Sequence, residues 1–218
     1  MQTENDTSLL EIKGFTVRVR PPQIVQPARL TLLIHGLTGD EDVMWVFTNR
    51  LSQSDWFVAP RAPYAYSKGG YTWVDNPQGI DTPLDVYLPM ADRLLEMVDS
   101  LPLVPEPDRR RLRLLGFSQG AAMALAFTLA HPERVERVAA LAGFLPPHAE
   151  PWLTNPNIPG IPVFMAHGTR DEQIPFVRAR QSAEQMRRAG MQVTLCEDEV
   201  GHKLSLNCLK GMNQFFQS

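Results

Sequence analysis

Apolar residues along this chain fall into two kinds of segment that alternate. Short, nearly continuous apolar runs at residues 30–34, 112–116, 135–142 and 161–166 read as buried parallel strands. Residues 56–60 and 193–196 read as shorter strands, and 15–20 alternates strictly, with Phe15, Val17 and Val19 on one face, as a half-exposed antiparallel edge strand does. Between the strands the period lengthens. Leu84, Leu88, Ala91, Leu95 and Val98 recur at helical spacing after Pro83. A small-residue helix follows residue 118 and is stopped near Ala130 by His131-Pro132. Residues 175–189, capped by Gly190, and 203–216 complete the helical set. A short helix is expected through Trp45 and Arg50, a loose tail over residues 1–8, a long aromatic loop over 61–77 and a surface loop over 102–111. Strands alternating with helices predict an α/β chain, its mostly parallel sheet covered on both faces. No repeat or linker interrupts it, so 1–218 is expected to form a single domain.

Composition narrows the function classes. A chain of 218 residues with 44% hydrophobic and 21% charged residues is of ordinary globular type, and its net charge of −3 offers no footprint for nucleic acid. No apolar run is long enough to span a bilayer, and the first residues are polar and acidic, so neither membrane insertion nor a secretory signal is expected. The two cysteines, Cys196 and Cys208, lie in apolar-patterned segments without metal-ligand spacing. They read as reduced, packed residues of a cytoplasmic protein, with a disulfide as the alternative.

The chemistry concentrates at residues 114–124. An apolar strand ends in Gly116-Phe117-Ser118-Gln119-Gly120, and a small-residue helix follows. Gly-x-Ser-x-Gly between strand and helix is the nucleophile elbow of an α/β-hydrolase: the serine is held at the tip of a sharp turn, and the flanking glycines let strand and helix approach. A serine hydroxyl needs a base, and the base needs an orienting group. In this fold class the acid and the histidine follow the serine in the chain, after later strands. Residues 161–166 lead to His167-Gly168-Thr169-Arg170-Asp171-Glu172, and the last strand leads to Gly201-His202. Ser118 is therefore assigned as nucleophile, His202 as general base and then acid, and Asp171 as the carboxylate fixing the His202 tautomer, with Glu172 as the rival acid. His35 and His167, each beside a glycine at a strand end, read as supports of loop geometry. The backbone N–H of Gln119 and that of Leu37, in the loop His35-Gly36-Leu37-Thr38-Gly39, are the expected oxyanion donors. The mechanism calls for no cofactor and no metal.

Four blocks carry a resemblance: Ile34-His35-Gly36-Leu37 through Trp45, Gly70-Tyr71-Thr72-Trp73, Gly116-Phe117-Ser118-Gln119-Gly120-Ala121, and His167-Gly168 through Ile174-Pro175 with Gly201-His202. Together they resemble the acyl-protein thioesterase and bacterial carboxylesterase family of small α/β-hydrolases (phospholipase/carboxylesterase), the bacterial branch being the nearer likeness. The resemblance implies the same Ser118, Asp171 and His202 triad and the same donors, Leu37 and Gln119. It also implies that Trp73 lines the site. Related hydrolases insert lids after the strand that here ends near Ala142; only the Pro-studded segment 144–160 stands there, so no cap domain is expected. Phe144 and Ile174 are expected to join Trp73 in an apolar wall for substrate. The expected activity is cleavage of small-molecule carboxylic esters, thioesters included, through an acyl-enzyme. The rivals are a lysophospholipase or acyl-protein thioesterase on the same triad, and a non-catalytic hydrolase-fold binding protein. The oligomeric state, monomer or homodimer, is open.

Overall fold

The apolar runs become neighbours in one sheet. The structure, a computed structural model, describes residues 7–24, 28–48 and 51–217. In chain order these form β1 (Ser8–Ile12), β2 (Phe15–Arg20), β3 (Arg29–Ile34), β4 (Trp56–Pro60), β5 (Tyr64–Ala65), β6 (Tyr71–Thr72), α1 (Leu84–Ser100), β7 (Asp108–Phe117), α2 (Gln119–Ala130), β8 (Val135–Leu141), β9 (Pro162–Gly168), α3 (Phe176–Arg188), β10 (Gln192–Asp198) and α4 (Leu206–Gln217). Eight strands make the main sheet, in the order β1-β2-β4-β3-β7-β8-β9-β10, and β5 pairs with β6 apart from it. From β4 to β10 every pairing is parallel; β1 and β2 add an antiparallel border.

Strand side chains alternate between two cores. Leu32, Ile34, Leu114, Val138 and Val163 face α1, α2 and α3. Leu33, Leu115, Ala139, Leu141 and Phe164 face α4 and the short 3-10 turn Val43–Phe47. The four runs do not alternate apolar with polar because both sides are covered. This is the α/β-hydrolase architecture, with a loop and one short 3-10 turn, Trp152–Thr154, between β8 and β9 and no cap layer.

One buried charge is part of the frame. Arg113 is fully buried in β7, and burying a charge costs several kcal/mol unless it is paired. It donates to Asp55 (3.2 Å), Glu136 (3.0 Å) and the Phe216 carbonyl (3.0 Å), tying the end of α4 to the sheet. Burial raises the Asp55 carboxyl above its ordinary value, against the pull of Arg113 and Thr31.

The structure departs from the sequence reading at several points. β2 is not the edge: β1 pairs with it along its length, so Ser8 belongs to a strand. Residues 1–6 of the expected tail, and Arg50 of the expected short helix, lie outside the described residues. The loop expected over 102–111 gives way to β7 at Asp108, because Asp108 pairs with Arg29. Cys196 and Cys208 are joined in a disulfide, with Cα atoms 5.6 Å apart. Cys196 lies on the outermost strand and Cys208 on the first turn of the helix packed against it, a closeness that a separation of 12 residues cannot reveal. The support that reduced cysteines gave to a cytoplasmic location falls with that correction.

Candidate active site

The chain crosses from β3 to β4 on one side and later from β7 to β8 on the other, so strand order reverses between β3 and β7. Loops leaving the carboxyl ends of strands at such a reversal diverge and leave a crevice. Ser118 and Leu37 stand at this place.

Ser118 follows β7 directly, with φ 55° and ψ −119°, a conformation rare outside glycine. The turn is held from both sides. Ser118 N–H donates to the Leu141 carbonyl (2.8 Å), and the Ser118 carbonyl accepts from Ala121 N–H (3.0 Å). A Cβ on Gly116 would stand 2.2 Å from the Gly120 carbonyl oxygen, and one on Gly120 would stand 2.1 Å from that of Ile34. The elbow therefore exists only with both glycines.

Asp171 and His202 arrive on neighbouring strands. β9 and β10 run parallel with Gly168 opposite Asp198, and beyond them Thr169 N–H and Arg170 N–H donate to the Asp198 and Val200 carbonyls. This joins the two loops and leaves Asp171 facing His202. His202 Nδ1 lies 2.7 Å from Asp171 Oδ2, and His202 Nε2 lies 2.9 Å from Ser118 Oγ. The carboxylate accepts from Nδ1–H, which leaves Nε2 as acceptor for the Ser118 hydroxyl. Asp171 Oδ1 accepts from Gln173 N–H and Ile174 N–H, both at 2.9 Å. Burial alone would raise the Asp171 carboxyl; Ile174 N–H, His202 and Gln173 N–H outweigh it and hold the group below the usual carboxylate range. Glu172, the rival acid, is exposed.

A second histidine touches the same carboxylate. His167 Nε2 donates to the Ile174 carbonyl (2.8 Å) and lies 3.4 Å from Asp171 Oδ2. Burial lowers its pKa, favouring the neutral ring.

The loop after β3 is fixed by its own histidine. His35 Nδ1–H donates to the Gly36 carbonyl (2.7 Å), and Nε2 accepts from Ala62 N–H (3.0 Å). Burial drives its pKa down to about 4. Thr38 N–H donates to the Tyr71 carbonyl and Tyr71 N–H to that of Gly39, so the β5–β6 hairpin straps the loop down. Outside this strap, Arg61 holds Glu41 through two bonds of 2.5 and 2.6 Å. Leu37 and Gln119 line the cleft beside Ser118, and no described hydrogen bond is donated by the backbone N–H of either. The Gln119 side chain is occupied elsewhere, accepting from Trp73 N–H and bonding Thr72 Oγ1.

The cleft has a volume of about 820 Å³. Phe144 and Ile174 line it; Trp73 does not. Trp73 is fully buried, and its indole N–H donates to the His35 carbonyl (2.7 Å), so it braces the loop from below. An aromatic residue in an aromatic-rich loop suggests a pocket wall, but composition cannot show which carbonyl an indole meets. Sequence reasoning also missed Val43, Val46 and Phe47 as lining residues: their segment reads as a short helix, and the 3-10 turn it forms is also a wall of the cleft. No group of acidic, histidine or cysteine side chains among the described residues could hold a metal ion, and no helix among them is long and apolar enough to cross a membrane.

Comparison with known proteins finds esterase and thioesterase relatives. A family model described as Phospholipase/Carboxylesterase matches residues 94–218. The chain is 29% identical over 196 residues to acyl-protein thioesterase 1 of Debaryomyces hansenii, covering 79% of this chain and 82% of that one. To acyl-protein thioesterase 1 of Kluyveromyces lactis it is 32% identical over 184 residues, covering 72% and 76%. Among solved structures, a carboxylesterase from Mesorhizobium loti superposes with a TM-score of 0.83 at 18% identity, covering 98% of this chain and all of that one. The Bacillus cereus carboxylesterase does so with a TM-score of 0.83 at 16% identity, covering 93% of each.

Proposed function

Because the chain belongs to the phospholipase/carboxylesterase family of α/β-hydrolases, we propose that it is a serine hydrolase that cleaves carboxylic esters through a covalent acyl-enzyme. The observation that carries this reading is the unbroken hydrogen-bonded chain from Ser118 Oγ through His202 to Asp171, at 2.9 and 2.7 Å.

In the proposed reaction Ser118 Oγ attacks the ester carbonyl as His202 Nε2 takes the hydroxyl proton. Asp171 keeps Nδ1 protonated and stabilises the imidazolium that forms. The carbonyl oxygen becomes an oxyanion facing the N–H groups of Leu37 and Gln119. Collapse breaks the bond to the leaving alcohol, which takes its proton from Nε2. Water then repeats the sequence: Nε2 accepts its proton, the hydroxide adds to the acyl carbon, and Ser118 leaves with the proton returned. Every transfer uses groups of this chain. Thioesters fall within the proposal, since the similar yeast proteins are named acyl-protein thioesterases and a thiolate leaves by the same steps.

The test is labelling with a fluorophosphonate probe, wild type beside Ser118→Ala, read by intact mass. One adduct on wild type and none on the variant is the expected outcome. A folded wild type that takes no adduct would overturn the proposal in favour of a non-catalytic binding protein.

A further inference from the structure

The cleft beside Ser118 is lined by two unlike groups of residues. Towards the α4 side it is walled by Val43, Val46, Phe47 and Phe117, all apolar. Towards α1 and α3 it is walled by Gln78, Ile80, Phe144 and Gln173, a mixed surface. A separate groove of about 960 Å³ lies between residues 145–150 and α3, starting at the residue next to Phe144 in the chain.

Arg178 joins the two spaces. It lines the groove, donates to the Ile80 carbonyl (3.2 Å), and sets its guanidinium 6.0 Å from the Phe144 ring centre. Ile80 and Phe144 in turn line the catalytic cleft. The groove is cationic on a chain whose net charge is −3. Arg178, Arg180, Arg187 and Arg188 line it against Glu150 and Glu184, and Glu184 is already paired with Arg188 at 3.0 Å. Arg187 spends its donors on the neutral Val193 carbonyl and keeps its charge uncompensated by that bond. Guanidinium groups present planar forks that suit carboxylate and phosphate oxygens.

We propose that this groove is an anion-binding extension of the cleft. The preferred ester then has an apolar group on one side of its carbonyl and a carboxylate or phosphate on the other. The proposal rests on the hydrolase reading above, and it assigns the groove a ligand class that the hydrolytic chemistry alone does not require.

Two matched substrate pairs test it and separate the two anions: hexanoyl glycerol against hexanoyl glycerol 3-phosphate, and hexyl pentanoate against the monohexyl ester of glutaric acid. In at least one pair, wild-type kcat/KM should favour the anionic ester about tenfold, through KM, as expected for one charge-assisted contact. That preference should shrink towards parity in about 0.5 M salt. Arg180→Glu should lower the anionic-to-neutral ratio about fivefold or more, on the same reasoning. Arg111→Glu, the same charge change at an exposed position near the amino end of β7, should leave the ratio in place. Parity in both pairs, or equal effects of the two variants, would overturn the proposal. Fluorophosphonate labelling of every variant distinguishes the failures. A labelled wild type at parity removes only the anion site, whereas an unlabelled wild type removes the hydrolase reading and the anion site with it.

Discussion

At the end of β3, His35 is fully buried and both its ring nitrogens are taken by backbone groups. After β10, His202 keeps 12% of its side chain exposed and both its nitrogens meet side chains. The two residues are alike in sequence, each next to a glycine near a strand end. They differ in where a proton could go. A proton added to His35 Nε2 would meet the Ala62 N–H that now donates to it, so the ring stays neutral and acts as a rigid spacer beneath Leu37. At His202, Nε2 faces a hydroxyl that can give up its proton, and Nδ1 faces a carboxylate that stabilises the resulting charge. On the proposed mechanism, the kind of atom around the ring decides between scaffold and reagent.

The sharpest way to break this comparison is to remove each ring and measure both activity and stability. His202→Ala should lower kcat on an ester that wild type cleaves by about 10⁶-fold, and Asp171→Asn by about 10⁴-fold. A loss of less than tenfold in either would erase the distinction between the two regions. His35→Phe should act chiefly on stability. It strands the Ala62 N–H in the interior and removes one of the two donors to the Gly36 carbonyl, which keeps the Gly39 N–H (3.0 Å), and a loss of about 1–3 kcal/mol is expected from urea unfolding. If His202→Ala lost as much stability as His35→Phe, the two rings would be equally structural.

A smaller effect sharpens the same contrast through pH. The His35 pKa is about 4 in the folded chain and about 6.5 when unfolded. Between those values the unfolded chain binds the extra proton, so folding stability rises with pH. The His35 contribution is complete above about 6.5 and is lost as pH falls to about 4, a change on the order of 3 kcal/mol. Unfolding midpoints across that range should slope for wild type, and less so for His35→Phe by this amount. Asp171, whose carboxyl is held low, works below this window, because its stabilisation is lost only as pH falls through the folded-state value.

Much of this arrangement was legible before any coordinates. Buried parallel strands announce themselves as nearly continuous apolar runs, and Ser118 and Asp171 each sit just beyond one, with His202 after the shorter last strand. What could not be read depends on contacts between distant segments. Residues 108–111, Asp-Arg-Arg-Arg, look like solvent loop, yet they begin β7 because the neighbouring β3 supplies a partner. Arg113, a fully buried cation, is intelligible only once Asp55 and Glu136 are seen beside it. Trp73 looked like a pocket residue until the His35 carbonyl claimed its N–H. The cysteine pair needed the packing of α4 on β10 to be visible.

The spacing of the hydrogen-bonded chain has a consequence for folding order. Ser118 and His202 are 84 positions apart, and Asp171 and His202 are 31 apart. β8 and β9 lie between the strands that bring these residues together, so β7 and β10 cannot present them until the middle of the sheet is built. Contacts of such separation form late and slowly, after local helices. On the proposed mechanism, turnover regained in a refolding experiment would require the last strand to have docked, whatever local structure forms before it.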